Sequence, residues 1–456
     1  MQKALSIREI DAAVDKFSPV TPSHPYYVDF KNLRGDFQER RVMKMLNVEF
    51  DLENDQYTFD FRPNQTNKQL LFLAGMRGSG KTSELAKYAN LLDFPRCFFV
   101  VICNIDEELD MDNVEYMDVL IFQLEKLLEK AESVNLKISD SVIESMEVWF
   151  QDRVKEINRS LEVSGGAGIE LGGESGLSFA GILGKLLGVT ASLKAGLSGS
   201  YERAETIRTS LKNRFVDFAV KFNTFIEQTN AQLRTEGKGQ EILFIVDGLE
   251  KTMSADTRRK IIMEESNRIR QIKANTIFTL PIELMKEGQR IGQFGEVITF
   301  PFIKIKNRDG SIVKNAVDKF EEFIYKRIDR KLFDTEKTVK LAIEYCGGSP
   351  RQLLRILERS AWETEAGKEL ITYSNMKAAI DQLGNAAAKY LQPEEWARLK
   401  TLKTDLDKGN PIGFGNDIQS LLEKIIIFEY NDGTYKRVNP LLEVSKLYKH
   451  NVLNEY

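Results

Sequence analysis

The sequence predicts an α/β fold on a parallel sheet, with an all-helical segment after it and a small C-terminal unit of helices and a hairpin. Three observations predict this. Leu70–Ala74, Cys97–Ile102, Glu241–Val246 and Asn275–Leu280 are apolar runs too short for helices, the pattern of strands buried on both faces of a parallel sheet. Between the first two, residues 81–92 are rich in helix formers and supply the crossover that parallel strands require. From residue 315 to 390 only helical periodicity appears, and beyond it Asn431-Asp432-Gly433 separates two strand patterns, a hairpin signal.

The remaining elements follow in order. Tyr26–Phe30 reads as a short strand, 37–46 as a helix and 64–68 as a polar loop. Met117, Leu120, Ile121, Leu124, Leu127 and Leu128 mark one helical face; Ile143, Met146, Phe150, Val154, Ile157 and Leu161 mark a second, with Ser139 or Asp140 as N-cap. Phe215, Phe218, Ala219, Phe222, Phe225 and Ile226 mark a third. Eleven of the thirty glycines fall between Gly165 and Gly199. There Ala167, Ile169 and Leu171, then Ala191, Leu193, Ala195 and Leu197, alternate with period two and predict a hairpin within 163–200; 177–189 between them reads as a short amphipathic helix or an apolar loop. This insertion is open to three readings: a membrane-inserting segment, a contact for a partner or a second copy, or a passive mobile loop. Its apolar part is short and Lys185 interrupts it, which argues against a stable span. Near the end, 421–424 closes a helix, 425–430 is a strand and 434–438 the returning strand.

The 456 residues hold 64 Lys and Arg against 68 Asp and Glu, a formal charge of −4, so bulk charge gives no reason to bind nucleic acid or an anionic membrane. With 42% hydrophobic and 29% charged residues, wholesale disorder is excluded. Three cysteines (Cys97, Cys103, Cys346) and two histidines (His24, His450) exclude a disulfide framework, a zinc-finger scaffold and most His-based catalysis. No apolar stretch of about 18 residues appears, and residues 1–14 carry charges throughout, so a cytoplasmic protein is expected.

Gly75-Met76-Arg77-Gly78-Ser79-Gly80-Lys81-Thr82 matches G-x-x-x-x-G-K-[ST], after a buried strand and before a helix. A triphosphate concentrates negative charge, and a glycine-rich loop can turn its backbone N–H groups onto it at the positive end of a helix. Gly75, Arg77, Gly78, Ser79, Gly80 and Ser83 would line this loop, Lys81 would bring a mobile charge to the β- and γ-phosphates, and the Thr82 hydroxyl would hold Mg²⁺. Such a loop needs a carboxylate at the tip of a neighbouring strand, and Asp247 ends 242–246. Glu250, three residues on, is the candidate general base for water. Glu84 reads as a favourable charge at the helix N-terminus.

With 242–251 reading I-L-F-I-V-D-G-L-E-K, 276–281 reading T-I-F-T-L-P and 347–351 reading G-G-S-P-R, the chain resembles the AAA+/STAND class of P-loop NTPases, in particular KAP-type and related bacterial ATPases, over residues 25–370 without 165–199. The resemblance implies an α/β fold: a parallel-sheet P-loop NTPase core (63–305) with a helical insertion (108–240) that contains the 163–200 hairpin, an all-helical lid (306–391) and a C-terminal winged helix (392–456), with 1–62 contributing to the adenine pocket. It implies ATP and Mg²⁺, with Thr279 in the sensor-1 position, Pro350 and Arg351 opening the lid helix with Arg351 as sensor 2, and Tyr27, Arg34 and Gly35 near the adenine. It departs from AAA+ enzymes in placing Gly248 directly after Asp247, and from STAND proteins in Thr279 standing where arginine is frequent. Arg268, Arg270 and Arg290 are candidates for an arginine finger if the chain forms rings. The ending Y-N-D-G-T-Y-K-R-V-N-P-L-L resembles a winged helix of STAND and ORC-like ATPases. Residues 392–456 carry nine basic against ten acidic residues, so an intramolecular or protein contact is favoured over DNA, with Lys436, Arg437, Lys446 and Lys449 as the one local basic patch. The implied function is an ATP-hydrolysing regulatory switch acting through self-assembly or a separate effector, in bacterial antiphage defence by association. The alternatives are a DNA-binding ORC-like or transposition-regulator-like ATPase and a P-loop kinase of a small molecule.

Overall fold

The computed structural model describes residues 2–34, 37, 39–54, 56–59, 68–93, 95, 97–163, 168–169, 181–252, 255–430 and 435–455. Its centre is a five-stranded parallel sheet of β1 (Leu70–Gly75), β2 (Phe98–Asn104), β3 (Glu241–Asp247), β4 (Asn275–Pro281) and β5 (Glu296–Phe300), in the order β2-β3-β4-β1-β5. β3 and β4 are buried along their whole length, as expected for strands covered on both faces. Side chains alternate between two cores. Phe72, Phe99, Val101 and Phe244 face one; Leu71, Leu73, Val100 and Ile245 face the other.

The second core is closed by α1 (Lys81–Leu92) and by an antiparallel hairpin, Val48–Asp51 with Gln56–Phe59. Neither this hairpin nor β5 was expected. β5 reads E-V-I-T-F, too short and too mixed to announce itself, and its pairing with β1 creates it. A helix at Glu39–Met45 lies within the expected 37–46.

The first core is filled by helices between β2 and β3: α2 (Tyr116–Ser133), α3 (Asp140–Val163), α4 (Gly181–Leu197), α5 (Tyr201–Asn213) and α6 (Phe215–Glu236). The third expected helical face lies on α6, and α5 is a further helix before it, separated at Arg214. Arg208 on α5 meets Asp118 on α2 in a buried fork, with Nη2 2.6 Å from Oδ2. The hairpin expected over 163–200 is wrong for its second arm, which is helix α4. Leu186, Leu187, Leu193 and Leu197 are buried at helical spacing against α2, α3 and α5. Period two was mimicked there by small residues that let helices approach: a Cβ on Gly196 would stand 2.7 Å from Ile207 Cδ1. Residues 164–167 and 170–180, with Ala167, Leu171 and Leu177, lie outside the described residues. Among the described residues no helix is long and apolar enough to cross a membrane.

A helical layer follows: α7 (Lys314–Tyr325), α8 (Glu336–Cys346), α9 (Pro350–Trp362) and α10 (Tyr373–Ala388). Residues 2–30 pack onto it, with Ile10, Val14, Val28 and Phe30 sharing a core with Phe320, Ile324 and Leu353. Tyr26–Phe30 is not a strand. The segment starts in a turn at Tyr26 and has no sheet neighbour, and Phe30 packs on Phe320 of α7.

The C-terminal unit contains α11 (Pro393–Lys408), a short helix at Gln419–Glu423 and the antiparallel pair Ile427–Tyr430 with Tyr435–Val438. The Asn431-Asp432-Gly433 turn lies outside the described residues. Lys436 does not belong to a basic surface. It is fully buried, its Nζ 3.0 Å from the equally buried Glu429 carboxylate, and it donates to the Ile412 carbonyl at 2.6 Å. The strand is covered on both faces at Tyr435 and Lys436, which sequence charge counting cannot see.

Candidate active site

β1 ends at Gly75, and the chain turns through Met76–Gly80 into α1. Gly78 and Gly80 have φ of +82° and +96°, the left-handed region that glycine enters without cost. Close approach matters as much. A Cβ on Gly75 would stand 2.7 Å from the Phe300 carbonyl oxygen, and one on Gly78 2.9 Å from Arg351 Cβ. Gly80 precedes the first turn of α1, whose free N–H groups have no partner within the helix. Lys81 Nζ donates to the carbonyls of Gly75 at 2.9 Å and Met76 at 3.1 Å and lies 3.5 Å from the Glu250 carboxylate. The Ser79 hydroxyl is buried without a hydrogen-bond partner.

β3 brings Asp247 to this loop, but its strand is not the direct neighbour of β1. β4 lies between them, and Leu73 on β1 is in register with Thr279 on β4. The sheet therefore sets Thr279 between the loop and the carboxylates. Thr82 lines the same cavity as Asp247, and its hydroxyl favours the ionised form of that carboxyl. Gly248 N–H donates to Asp247 Oδ1 at 3.0 Å and to Thr279 Oγ1 at 3.1 Å. The turn Leu249–Lys251 carries Glu250 back over the site, where Thr279 Oγ1 donates to its Oε2 at 2.7 Å. Arg77 Nη2 donates to the Glu250 carbonyl at 2.8 Å. Burial and the Glu250 charge push the Asp247 carboxyl up. Burial opposes ionisation of Glu250 too, but Lys81 and the Thr279 hydroxyl outweigh it and hold that carboxyl below its ordinary value.

Thr82 and Asp247 suit Mg²⁺, which takes one or two carboxylates and leaves other positions to water and phosphate oxygens. Among the described residues no cluster of three His, Cys, Asp or Glu is placed to hold a metal ion.

The helical layer closes the site from above. Gly347, at φ +56°, ends α8, and Ser349 caps α9 by accepting from Gln352 N–H. The Ser349 hydroxyl donates to the Gly78 carbonyl at 3.3 Å. Pro350 starts α9 and Arg351 follows on the cavity wall. One cavity of about 580 Å³ is lined by Tyr27, Arg34, Arg77, Gly78, Gly80, Lys81, Thr82, Ser83, Asp247, Glu250, Pro350 and Arg351, a size that holds small ligands. Arg34 does not stand apart from the loop with the base-side residues. It is 5% exposed, lies 3.9 Å above the Phe300 ring, donates to the Pro301 carbonyl at 2.7 Å and comes within 3.3 Å of where a Gly80 Cβ would be. Burial pulls its pKa to about 10. Gly35 lies outside the described residues.

Sequence reasoning missed several wall residues. Asp15–Val20 crosses the mouth of the cavity, tied down where Val20 N–H donates to Ser83 Oγ at 3.3 Å and Lys16 pairs with Glu358 on α9 at 2.5 Å. Leu354 was within reach, since it lies one turn beyond Arg351 on the same helix face. Phe323 and Arg327 carry no local signal. None of the arginine-finger candidates lines the cavity. Arg268 lies against Tyr116 and Phe215 and pairs with Glu265, Arg270 donates to the Gln293 carbonyl, and Arg290 pairs with Glu287.

No family model matches the chain. No curated protein matches it. Among solved structures it is similar to Cdc6p from Pyrobaculum aerophilum, at 14% identity over 97% of this chain and 98% of that one with a TM-score of 0.34. It is also similar to the Aeropyrum pernix ORC1 protein in complex with DNA, at 10% identity over 85% and 88% with a TM-score of 0.29. At these values the functional reading rests on the site's own geometry.

Proposed function

We propose that the chain is a Mg²⁺-dependent ATPase whose nucleotide state is passed to its helical layer and C-terminal unit. The observation that carries this is the single cavity in which the glycine loop and Lys81, the Thr82–Asp247 pair, Glu250 and Arg351 converge from three parts of the chain. In this reading the loop amides and Lys81 hold the β- and γ-phosphates. Mg²⁺ held by Thr82 and Asp247 supplies charge compensation at the phosphate oxygens. Drawing Lys81 away from Glu250 onto phosphate removes the cation that depresses the Glu250 carboxyl, which makes Glu250 a stronger base for the attacking water. Thr279 orients that carboxylate, and Arg351 contacts the γ-phosphate from the lid.

The output path is a packed contact. Met76 of the loop shares a core with Phe302, just after β5, and with Phe428 of the C-terminal unit, and its sulfur accepts from Glu429 N–H at 3.4 Å. Tyr430 donates to the Gly347 carbonyl at 2.6 Å, just before α9. A change in loop or lid is thereby felt by the hairpin. In the bacterial defence setting that the resemblance implies, the signal goes to a separate effector or a second copy of the chain.

Phosphate release with no acceptor added tests the reading against a kinase. Lys81→Ala should lose ATP binding, and Glu250→Gln should keep binding while turnover falls ~10²–10⁴-fold. Equal turnover in wild type and Glu250→Gln would remove the base. ATP-requiring, salt-dependent binding of duplex DNA would instead favour the DNA-handling alternative.

A further inference from the structure

The cavity has two chemically different ends. At one, Asp247, Glu250, Asp106 and Lys251 gather beside the loop. At the other, apolar side chains dominate: Val20, Val28, Phe323 and Leu354, with the Tyr27 ring. A charged side chain stands in that second end without serving the phosphates. Glu84 lies in the first turn of α1, one turn past Gly80, and its side chain lines the cavity with 13% exposure. Lys87 lies 3.7 Å from it and also pairs with Asp29, two residues from Tyr27, which puts Glu84 on the Tyr27 side of the cavity.

Glu84 stands in the first turn of α1, as expected for a favourable helix-terminus charge, and it also lines the cavity. Lys87, its nearest cation at 3.7 Å, is already committed to Glu39 at 2.6 Å and Asp29 at 3.2 Å. Burial raises the Glu84 carboxyl above its ordinary value, against the pull of Lys87 and Arg34. A buried carboxyl whose nearest cation is shared with two other carboxylates needs a further donor to offset its desolvation. The ligand that fills an apolar, tyrosine-walled pocket next to a triphosphate site is a flat base, and the donor that such a base carries on its edge is an amino group.

We propose that Glu84 is the base-reading residue of the site and accepts a hydrogen bond from the exocyclic N6 amino group of adenine. The assignment rests on the ATP reading above and names its specificity group. Guanine places the carbonyl oxygen O6 where adenine has N6, setting acceptor against acceptor and leaving the carboxyl unsatisfied, the arrangement by which a polar pocket rejects an analogue most strongly.

The test compares equilibrium binding, with Mg²⁺, of ATP, GTP and purine riboside 5′-triphosphate, which is ATP without the amino group, to the full chain and to two variants. The wild type should prefer ATP over purine riboside triphosphate roughly 10- to 100-fold and should bind GTP more weakly than either. Glu84→Leu should bind ATP and purine riboside triphosphate alike, at the wild-type level for the latter. Glu84→Gln, which keeps an acceptor oxygen and the side-chain shape, should retain the preference; this variant carries the test if Glu84→Leu does not fold. The proposal is overturned if folded Glu84→Leu keeps the full preference, if folded Glu84→Gln loses it, if the wild type does not distinguish the two, or if GTP binds more tightly than ATP. Failure of the wild type to bind any of the three would instead overturn the nucleotide reading itself, so the two failures are distinguishable.

Discussion

Replacing Lys81 with methionine separates the work this side chain does without nucleotide from its role toward phosphate. Lys81 and Glu250 are both buried, 3.5 Å apart, and the ammonium also serves the carbonyls of Gly75 and Met76. Methionine fills a similar volume and removes the charge and all three contacts. Breaking a buried pair by removing one partner costs about 3–5 kcal/mol, because the other charge stays buried and uncompensated. At 2–4 °C per kcal/mol for a domain of roughly 150–250 residues, the nucleotide-free protein should melt on the order of 10 °C lower near neutral pH.

The pH dependence gives the sharper prediction. In the wild type Lys81 holds the Glu250 carboxyl below its ordinary value. That contribution is fully present above the unfolded carboxyl pKa and is lost as pH falls through the folded value. In Lys81→Met the main charge opposing burial is gone while the Thr279 hydroxyl and Lys251 remain, so the Glu250 carboxyl rises, ionised Glu250 supports the fold less, and acidification narrows the deficit. Melting of nucleotide-free protein at about pH 5 and about pH 8 should show a much smaller deficit at the lower pH. Equal deficits at both pH values would mean that the pair is not what Lys81 stabilises, and the reasoning that links Lys81 release to Glu250 basicity would go with it.

Thr279→Val removes the hydroxyl that bridges Gly248 N–H and Glu250 Oε2; kcat for ATP should fall at least about tenfold with KM little changed, as expected when an interaction made by the catalytic carboxylate is lost. Gly78→Ala puts a Cβ at φ +82°, 2.9 Å from Arg351 Cβ; ATP affinity measured by titration should drop by roughly tenfold, matching ~1–3 kcal/mol of backbone strain, whereas unchanged affinity would show that loop and α9 separate freely. Lys436→Met should destabilise the C-terminal unit by about 3–5 kcal/mol in hydrogen exchange, and the double variant with Glu429→Leu should recover most of it, because the second change removes the stranded carboxylate.

How much was legible depends on how local each cause is. The phosphate loop, α1 and the buried strands β1 to β4 could be read because a glycine pattern or an apolar run carries its own explanation within about ten residues. Ser349, Pro350 and the glycines before them likewise announce the start of α9. β5 and α4 could not be read that way. β5 exists because β1 offers it a ladder, and α4 is a helix because α2, α3 and α5 surround it with apolar side chains.

The site divides along the same line. The amino-acid sequence by itself determined which groups are available: the glycine loop with Lys81 and Thr82, a strand ending in Asp247, and Glu250 three residues on. The tertiary structure alone decided what stands beside them. It put Thr279 between the loop and the carboxylates, set Arg34 against Gly80, buried Lys436 beside Glu429 and brought Glu84 to the cavity wall near Lys87 and Asp29. The physical reason is that backbone preference and periodicity act between near neighbours, whereas burial and charge environment are set by contacts between residues tens to hundreds of positions apart.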